Sequence, residues 1–292
     1  MKSFALFAFT TVLFFSCKKS DDAITPVEPP VLTLAAQSIP NVAYGTDPLQ
    51  KMDIFLPAGR GNATTKSLIV IHPGAWSILD KNTPEWLTFI DSLKKRLPAY
   101  AIFNVNHRLA SFTAGNVFPT QENDIKAAVD FIYARKTDYA VADKFVMLGA
   151  SSGAHIALLQ GYKYSTPKAK AIVDLFGPTD MVPMFTDPAS ASPASGIAFL
   201  MSGTPTSNAA LYQSSSPINF VDIFSPPTII FHGGPLDTLV KTSQSIKLKA
   251  MLSQKGVANQ YHNYLTEGHG WTGANLTDTF DKIVAFLNAN VL

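Results

Sequence analysis

The stretch Lys144–Leu159, KFVMLGASSGAHIALL, constrains the fold of this chain more than any other. Phe145-Val146-Met147-Leu148 is a short apolar run of strand type. Gly149-Ala150-Ser151-Ser152-Gly153 is built of small residues, and Ala154–Leu159 carries helix formers with no breaker. A buried strand therefore turns sharply into a helix, with a serine at the tip of the turn. The glycines flank it because the turn is too tight for side chains, and the strain holds the hydroxyl out of the surface. Ser151 is the candidate nucleophile. The competing reading is a Gly/Ser-rich loop with no chemistry.

The rest of the chain repeats the strand-and-helix alternation. Val42–Pro57 reads as two antiparallel strands, and Lys66–His72 as a buried strand with Leu68, Ile69, Val70 and Ile71 unbroken. Pro84–Leu97 has helical spacing, Ala101–Asn106 is a strand, and a helix follows Phe118-Pro119 through Arg135. Ala169–Phe176 and Pro226–His232 are strands, Val240–Gln254 a helix, Gln260–Leu265 a last strand and Asp278–Leu287 a last helix. Between them, residues 181–216 are rich in Pro, Ser and Ala, too long for a plain loop, and read as a small cap over the site. The pattern predicts an α/β fold: a mostly parallel sheet with helices on both faces and ligands beyond the carboxyl ends of the strands.

A serine hydroxyl needs a base to take its proton, and the base needs an acid to orient it. His269, in Glu267-Gly268-His269-Gly270-Trp271 after the last strand, is the candidate base. His262 lies within a strand, His155 one helical turn past Ser151, and His72 and His232 at strand ends, where structural roles suit them; His107 lies upstream of the serine. Asp237 follows the Pro226–His232 strand and is the candidate acid; its alternative role is a helix cap, and Asp180 competes with it. Donors for an oxyanion are expected from the Ser152 N–H and from Gly74 or Ala75, because Pro73 has no N–H to give. Trp76 and Trp271 flank these loops and are candidate ring-stacking residues for a substrate; the other reading is that both are core.

Several motifs together resemble the α/β-hydrolase superfamily, specifically the esterase/lipase branch that includes carbohydrate acetyl and feruloyl esterases. His72-Pro73-Gly74-Ala75-Trp76 is similar to that branch's H-G-G-G-W, departing at Pro73 and Ala75. Asn106-His107-Arg108-Leu109-Ala110 resembles N-Y-R-L-A, and Ala154-His155-Ile156-Ala157 resembles G-H-L-A. Gly149–Gly153 matches the serine turn, with Ser152 where alanine is common. His232 through Asp237 resembles H-G-x-x-D with one extra residue, and Gly268-His269-Gly270 matches the base loop. The resemblance covers about Val42 to Leu287. It implies an ester hydrolase that needs no metal and no cofactor, acting on a small-molecule or carbohydrate ester through an acyl-enzyme. A small serine peptidase of prolyl-oligopeptidase type, and a binding protein on a hydrolase scaffold, are the rival readings.

The N-terminus carries an address. Lys2 precedes an apolar run, Phe4–Phe15, too short to span a membrane but suited to a signal peptide. Cys17, the single cysteine, excludes an intrachain disulfide and sits where a bacterial lipoprotein would be cleaved and lipidated. An ordinary signal peptide with a stray cysteine is the alternative. The expected organisation is a signal peptide over 1–16, a lipid-anchored tether over 17–40, and an α/β-hydrolase domain over 41–292 with its cap at about 181–216. The protein would be exported as an outer-membrane lipoprotein, periplasmic or at the cell surface, meeting the membrane only through that anchor. A formal charge of +2 gives no reason to expect nucleic acid.

Overall fold

The computed structural model describes residues 33–192 and 194–292. The expected signal peptide, Cys17 and most of the expected tether lie outside the described residues.

Two strands, β1 (Gln37–Ala43) and β2 (Lys51–Leu56), pair antiparallel, and β2 pairs antiparallel with β4 (Tyr100–Val105). From there the sheet is parallel. β4 pairs with β3 (Lys66–Ile71), β3 with β5 (Phe145–Ala150), and the sheet continues through β6 (Ala169–Leu175), β7 (Thr228–Gly233) and β8 (Asn259–Tyr264). The order is β1-β2-β4-β3-β5-β6-β7-β8. β4 and β5 both follow β3 in the chain yet lie on opposite sides of it, so the direction of winding reverses there. That reversal opens a crevice at the carboxyl ends of β3 and β5.

Because helices cover both faces, β4, β5 and β7 are buried along their whole length and β3 from Ser67 onward, which is why they read as unbroken apolar runs rather than alternations. Side chains still alternate in direction. Leu68, Val70, Val146 and Leu148 meet α1 (Pro84–Arg96) and α8 (Gly273–Asn290) through Trp86, Ile90, Phe280 and Ile283. Ile69, Ile71, Met147 and Ile172 face the other layer, formed by α2 (Thr120–Ala134), α3 (Ser152–Lys163) and α7 (Ser243–Gln254). Each fully buried Ile or Leu contributes roughly 1.5–3 kcal/mol over leaving it in water. α3 is buried at every residue from Ser152 to Gly161, so it carries no polar stripe.

Three boundaries differ from the sequence expectation. β1 begins at Gln37, inside the segment expected to be tether up to residue 40. It is a mostly exposed edge strand with a register shift between Ile39 and Val42 and a proline at position 40. Such a strand has no apolar signature to read. α7 starts at Ser243 rather than Val240, because the Leu239 and Val240 N–H groups donate to Asp237 (both 2.9 Å) and are held in a turn. α8 starts at Gly273, ahead of the apolar stripe that marks its later turns.

The segment expected as a cap carries three short helices, α4 (Met181–Thr186), α5 (Ala194–Leu200) and α6 (Ala209–Ser214), and a 3₁₀ turn over Pro217–Phe220 follows it. Met181, Met184, Ile197, Leu200 and Tyr212 merge with the core under α3. The Phe118 N–H donates to Leu200 O (3.0 Å), and the Ala191 N–H donates to Thr238 O (2.8 Å). The insertion thus buttresses α3 and the loop after β7. No helix among the described residues is long and apolar enough to cross a membrane.

Candidate active site

Ser151 stands between β5 and α3 with φ 53° and ψ −122°. A non-glycine residue in the left-handed half of the map is strained, at a cost of about 1–3 kcal/mol that the surroundings must offset. Its N–H donates to Leu175 O (2.8 Å), and its carbonyl accepts from the His155 N–H (3.1 Å), so the turn is held from both sides. A Cβ on Gly149 would lie 2.3 Å from the Gly153 carbonyl. One on Gly153 would lie 2.3 Å from Ile71 O and 2.5 Å from His72 O. The glycines let the serine turn close on itself and let α3 press against the end of β3.

Two loops at the far side of the crevice meet at His269. A Cβ on Gly233, at the end of β7, would lie 2.0 Å from Gly268 O, and the Gly234 N–H donates to Glu267 O (2.9 Å). These contacts bring Asp237 and His269 together. The His269 Nδ1–H donates to Asp237, 2.9 Å from Oδ2 and 3.0 Å from Oδ1. Nε2 is then the bare nitrogen and accepts from the Ser151 hydroxyl at 2.8 Å. Burial alone would raise the Asp237 carboxyl, but the His269 ring and the Val240 and Leu239 N–H groups outweigh it and hold the carboxyl below its usual range. The acid is therefore ionised, and it fixes the tautomer and tilt of the imidazole.

Asp180, the competing acid, caps α4 through the Val182 N–H (3.2 Å) and has no bond to His269. His72 and His232 hydrogen-bond with Nδ1 to Pro73 O and Gly233 O (both 2.7 Å), buried as strand-end histidines. His155 is fully buried and bonds at both ring nitrogens away from the serine.

The turn after β3 lies beside Ser151 because of the Gly153 approach. Gly74, Ala75 and Trp76 have φ of 138°, 48° and 61°. For the two non-glycine residues this costs about 1–2 kcal/mol each. Two anchors hold the segment. Trp76 is buried and hydrogen-bonded to His155 (3.2 Å). Further along, Lys81 is buried against both oxygens of Asp53 (2.8 Å each), a pair whose disruption would cost about 3–5 kcal/mol.

Trp76 is a correction to the sequence expectation. At 5% exposure, with its indole N–H spent on His155, it belongs to the core rather than to a substrate surface. Trp271 is different. It lines a cavity of about 530 Å³ between α1 and α8, with Trp86, Phe89, Phe176 and Leu276, and Ala150 and Gly270 border it next to Ser151 and His269. Among the described residues, none of the 181–216 insertion lines this cavity, and the insertion packs as a buttress.

Sequence reasoning missed Phe176. It has φ 49° and sets its ring edge-on against His269 (4.7 Å, 62°) and Trp271 (5.4 Å, 73°). A strand-end phenylalanine reads as ordinary core, and no local signal marks it. Among the described residues no cluster of three or more His, Cys, Asp or Glu side chains could hold a metal ion.

A mostly parallel eight-stranded sheet wound in this order, with a serine at a strained strand-to-helix turn, is an α/β-hydrolase. The chain belongs to the BD-FAE family, whose model matches residues 52–252. It is 23% identical over 270 residues to Esterase LipC of Mycobacterium tuberculosis, covering 85% of this chain and 64% of that one. It is 24% identical over 214 residues to Esterase LipQ of the same organism, covering 69% and 49%. The chain thus spans less than two thirds of the length of either relative. Among solved structures, a truncated carbohydrate esterase from gut microbiota shares 25% identity at a TM-score of 0.72, covering 88% of this chain and 96% of that one. A bifunctional GH43-CE protein of Bacteroides eggerthii gives the same identity and TM-score over 85% and 38%.

Proposed function

We propose that this protein is a serine carboxylic-ester hydrolase. The observation that carries the reading is the unbroken hydrogen-bond chain from Ser151 Oγ through the His269 ring to an ionised Asp237. In the proposed reaction Ser151 Oγ attacks the ester carbonyl while its proton passes to His269 Nε2, and Asp237 stabilises the imidazolium. The negative charge on the tetrahedral intermediate is met by the Ser152 N–H, at the first turn of α3, and by the N–H of Gly74 or Ala75. Collapse returns the proton from Nε2 to the leaving alcohol and leaves an acyl-serine. Water, deprotonated by the same imidazole, then attacks the acyl carbon, and the acid departs as Ser151 recovers its proton.

The aromatic cavity beside Ser151 suits an apolar or aromatic part of the ester. A carbohydrate ester, acetyl or aromatic, is the proposed substrate class, supported by the 25%-identical neighbour described as a truncated carbohydrate esterase. The apolar run Phe4–Phe15 followed by Cys17 supports a proposed lipid anchor in the outer membrane.

The test compares residues 18–292 with the Ser151→Ala variant on short p-nitrophenyl esters, methyl ferulate and an aminoacyl p-nitroanilide. Ester turnover is expected in the native protein and should fall about 10⁴-fold or more in the variant, with the fold intact by circular dichroism. Full activity of Ser151→Ala would overturn the assignment, and turnover of the anilide alone would move it to a peptidase.

A further inference from the structure

The turn that carries Gly74 and Ala75 has positive φ at three successive residues, of which Ala75 and Trp76 are strained. The Ser77 and Ile78 N–H groups close it on Gly74 O (3.0 and 2.9 Å), but these bonds do not tie it to α3. A buried polar chain that the reaction does not use makes that tie. The Trp76 indole N–H donates to His155 Nδ1 (3.2 Å), and the two rings meet edge to face (5.3 Å, 87°). At the other edge of the imidazole, His155 Nε2 lies 2.7 Å from the Ser215 carbonyl oxygen. A carbonyl can only accept, so Nε2 carries the hydrogen, and Nδ1 is left bare to receive the indole N–H. One tautomer of a neutral ring satisfies both partners. His155 has no exposed surface, and Phe118 closes a further side at 5.3 Å. Burial keeps the ring uncharged, pushing its pKa down to about 4.

Each end of this chain is fixed to something that matters. His155 lies on α3, and its own N–H is bonded to the carbonyl of Ser151 (3.1 Å). Trp76 also accepts at its carbonyl from the Ala110 N–H (2.9 Å). Ser215 follows α6, and the neighbouring Ser216 hydroxyl accepts from the Met181 N–H (2.9 Å) and donates to Tyr212 O (2.8 Å). The insertion is thereby fixed where it receives the His155 proton.

We propose that the Trp76–His155–Ser215 chain locks the turn after β3 to the serine-bearing helix, making His155 a positioning residue for the oxyanion donors. The inference rests on the ester-hydrolase reading. Trp76 and His155 touch no reacting atom. They hold Gly74 and Ala75 at a constant distance from Ser151 Oγ, and they couple that distance to the seating of the 181–216 insertion. Losing the lock should weaken stabilisation of the charged intermediate and leave ground-state binding alone, so kcat falls while KM holds.

The test uses the full chain with a p-nitrophenyl ester. Trp76→Phe keeps an aromatic ring in place but removes the donor and some ring volume, so the His155 variants, which leave the indole intact, are its control. A fall in kcat of about 10-fold or more with KM within twofold is expected. His155→Leu removes both bonds and should fall at least as far, and adding Trp76→Phe to it should cost little more, since the two act as one unit. His155→Gln has an amide oxygen to accept and an amide N–H to donate, and it should recover most of the kcat lost in His155→Leu. Thermal melts establish that each variant is folded. The proposal is overturned if folded Trp76→Phe keeps kcat within twofold, if KM rises in step with the loss, or if the two losses multiply independently. A native protein inactive on every ester overturns the ester-hydrolase reading instead. In that case the Trp76 lock is read from the indole N–H resonance, which should move in His155→Leu and return in His155→Gln.

Discussion

The two walls that face each other across Ser151 Oγ are built on opposite physical principles. On one side, the loops after β7 and β8 present an ionised carboxylate and an imidazole that is still partly open, with 14% of the His269 side chain exposed. Phe176 meets that ring edge-on, and Trp271 in turn meets Phe176 edge-on. On the other side, the turn after β3 is neutral and backed by buried, strained and fully bonded residues: Trp76, His155 and the Lys81–Asp53 pair. The contrast is clearest between the two imidazoles. Both are bonded at both nitrogens. His269 has a carboxylate behind it, whereas His155 lies fully buried between a carbonyl and an indole N–H. A wall that moves a proton needs a charged partner and access; a wall that only receives developing charge needs rigidity.

The largest way to break this contrast is to take the charge from the proton-moving wall. Asp237→Asn keeps the shape but cannot hold His269 in the Nδ1–H tautomer with a negative partner. We expect kcat to fall about 10³- to 10⁴-fold with KM little changed, measured by steady-state hydrolysis at neutral pH. A loss under 10-fold would mean that Asp237 is a loop cap and nothing more.

A middle-sized effect separates the walls by pH. Burial pushes His155 down to about 4 and His107, which stacks on His72, down to about 3; His72 is also lowered. Unfolded, each titrates near 6.5. Their stabilising contribution is complete above that value and is lost as pH falls toward 4 and 3, because the unfolded chain binds the extra protons. Asp237, with a lowered carboxyl, keeps its contribution down to about 3.8 and loses it only below. Asp174 has the opposite sign: burial raises it to about 7, so stability falls as pH climbs from about 4 to 7. Acid should therefore loosen the buried wall first. Urea unfolding at several pH values should show His155→Gln with a shallower slope than the native chain between pH 6.5 and 4, by up to about 1.4 kcal/mol per pH unit. Parallel slopes would mean that His155 is already protonated in the fold.

The smallest expected effect probes the open side. Trp271→Ala removes one aromatic surface of the cavity and the hydrogen bond to Thr279 (2.8 Å). KM for an aromatic ester such as methyl ferulate should rise about 5- to 30-fold, with a p-nitrophenyl acetate control changing less than threefold. Equal changes for both esters would assign Trp271 to support of His269 rather than to the cavity.

Much of this molecule is local in origin. The serine turn was legible because its requirements fall on consecutive residues: a buried strand, small residues at a strained bend, and helix formers beyond. The same holds for the continuous apolar strands, whose double-sided burial leaves a mark at every position. Asp237 and His269 could be named as candidates from chain order and loop context. Their meeting depends on the close backbone approach of Gly233 to Gly268, as the seat of the turn after β3 depends on that of Gly153 to His72, and no single segment encodes either. The first residues of edge strand β1, Gln37 to Asn41, escaped notice because an exposed, bulged strand containing Pro40 has no burial pattern to read.

What tertiary structure alone decided is the use of residues whose identity permits several fates. A tryptophan beside a glycine turn can stack on a ligand or fill a core. Trp76 fills the core because His155 offers it an acceptor, and Trp271 borders the cavity because α1 and α8 leave a gap there. The sequence by itself determined the doubly covered sheet and the serine turn, since periodicity and small residues act over a few positions. Which imidazole sits beside a carboxylate and which beside a carbonyl was decided by long-range packing, because a side chain's electrostatic surroundings come from segments far away in the chain.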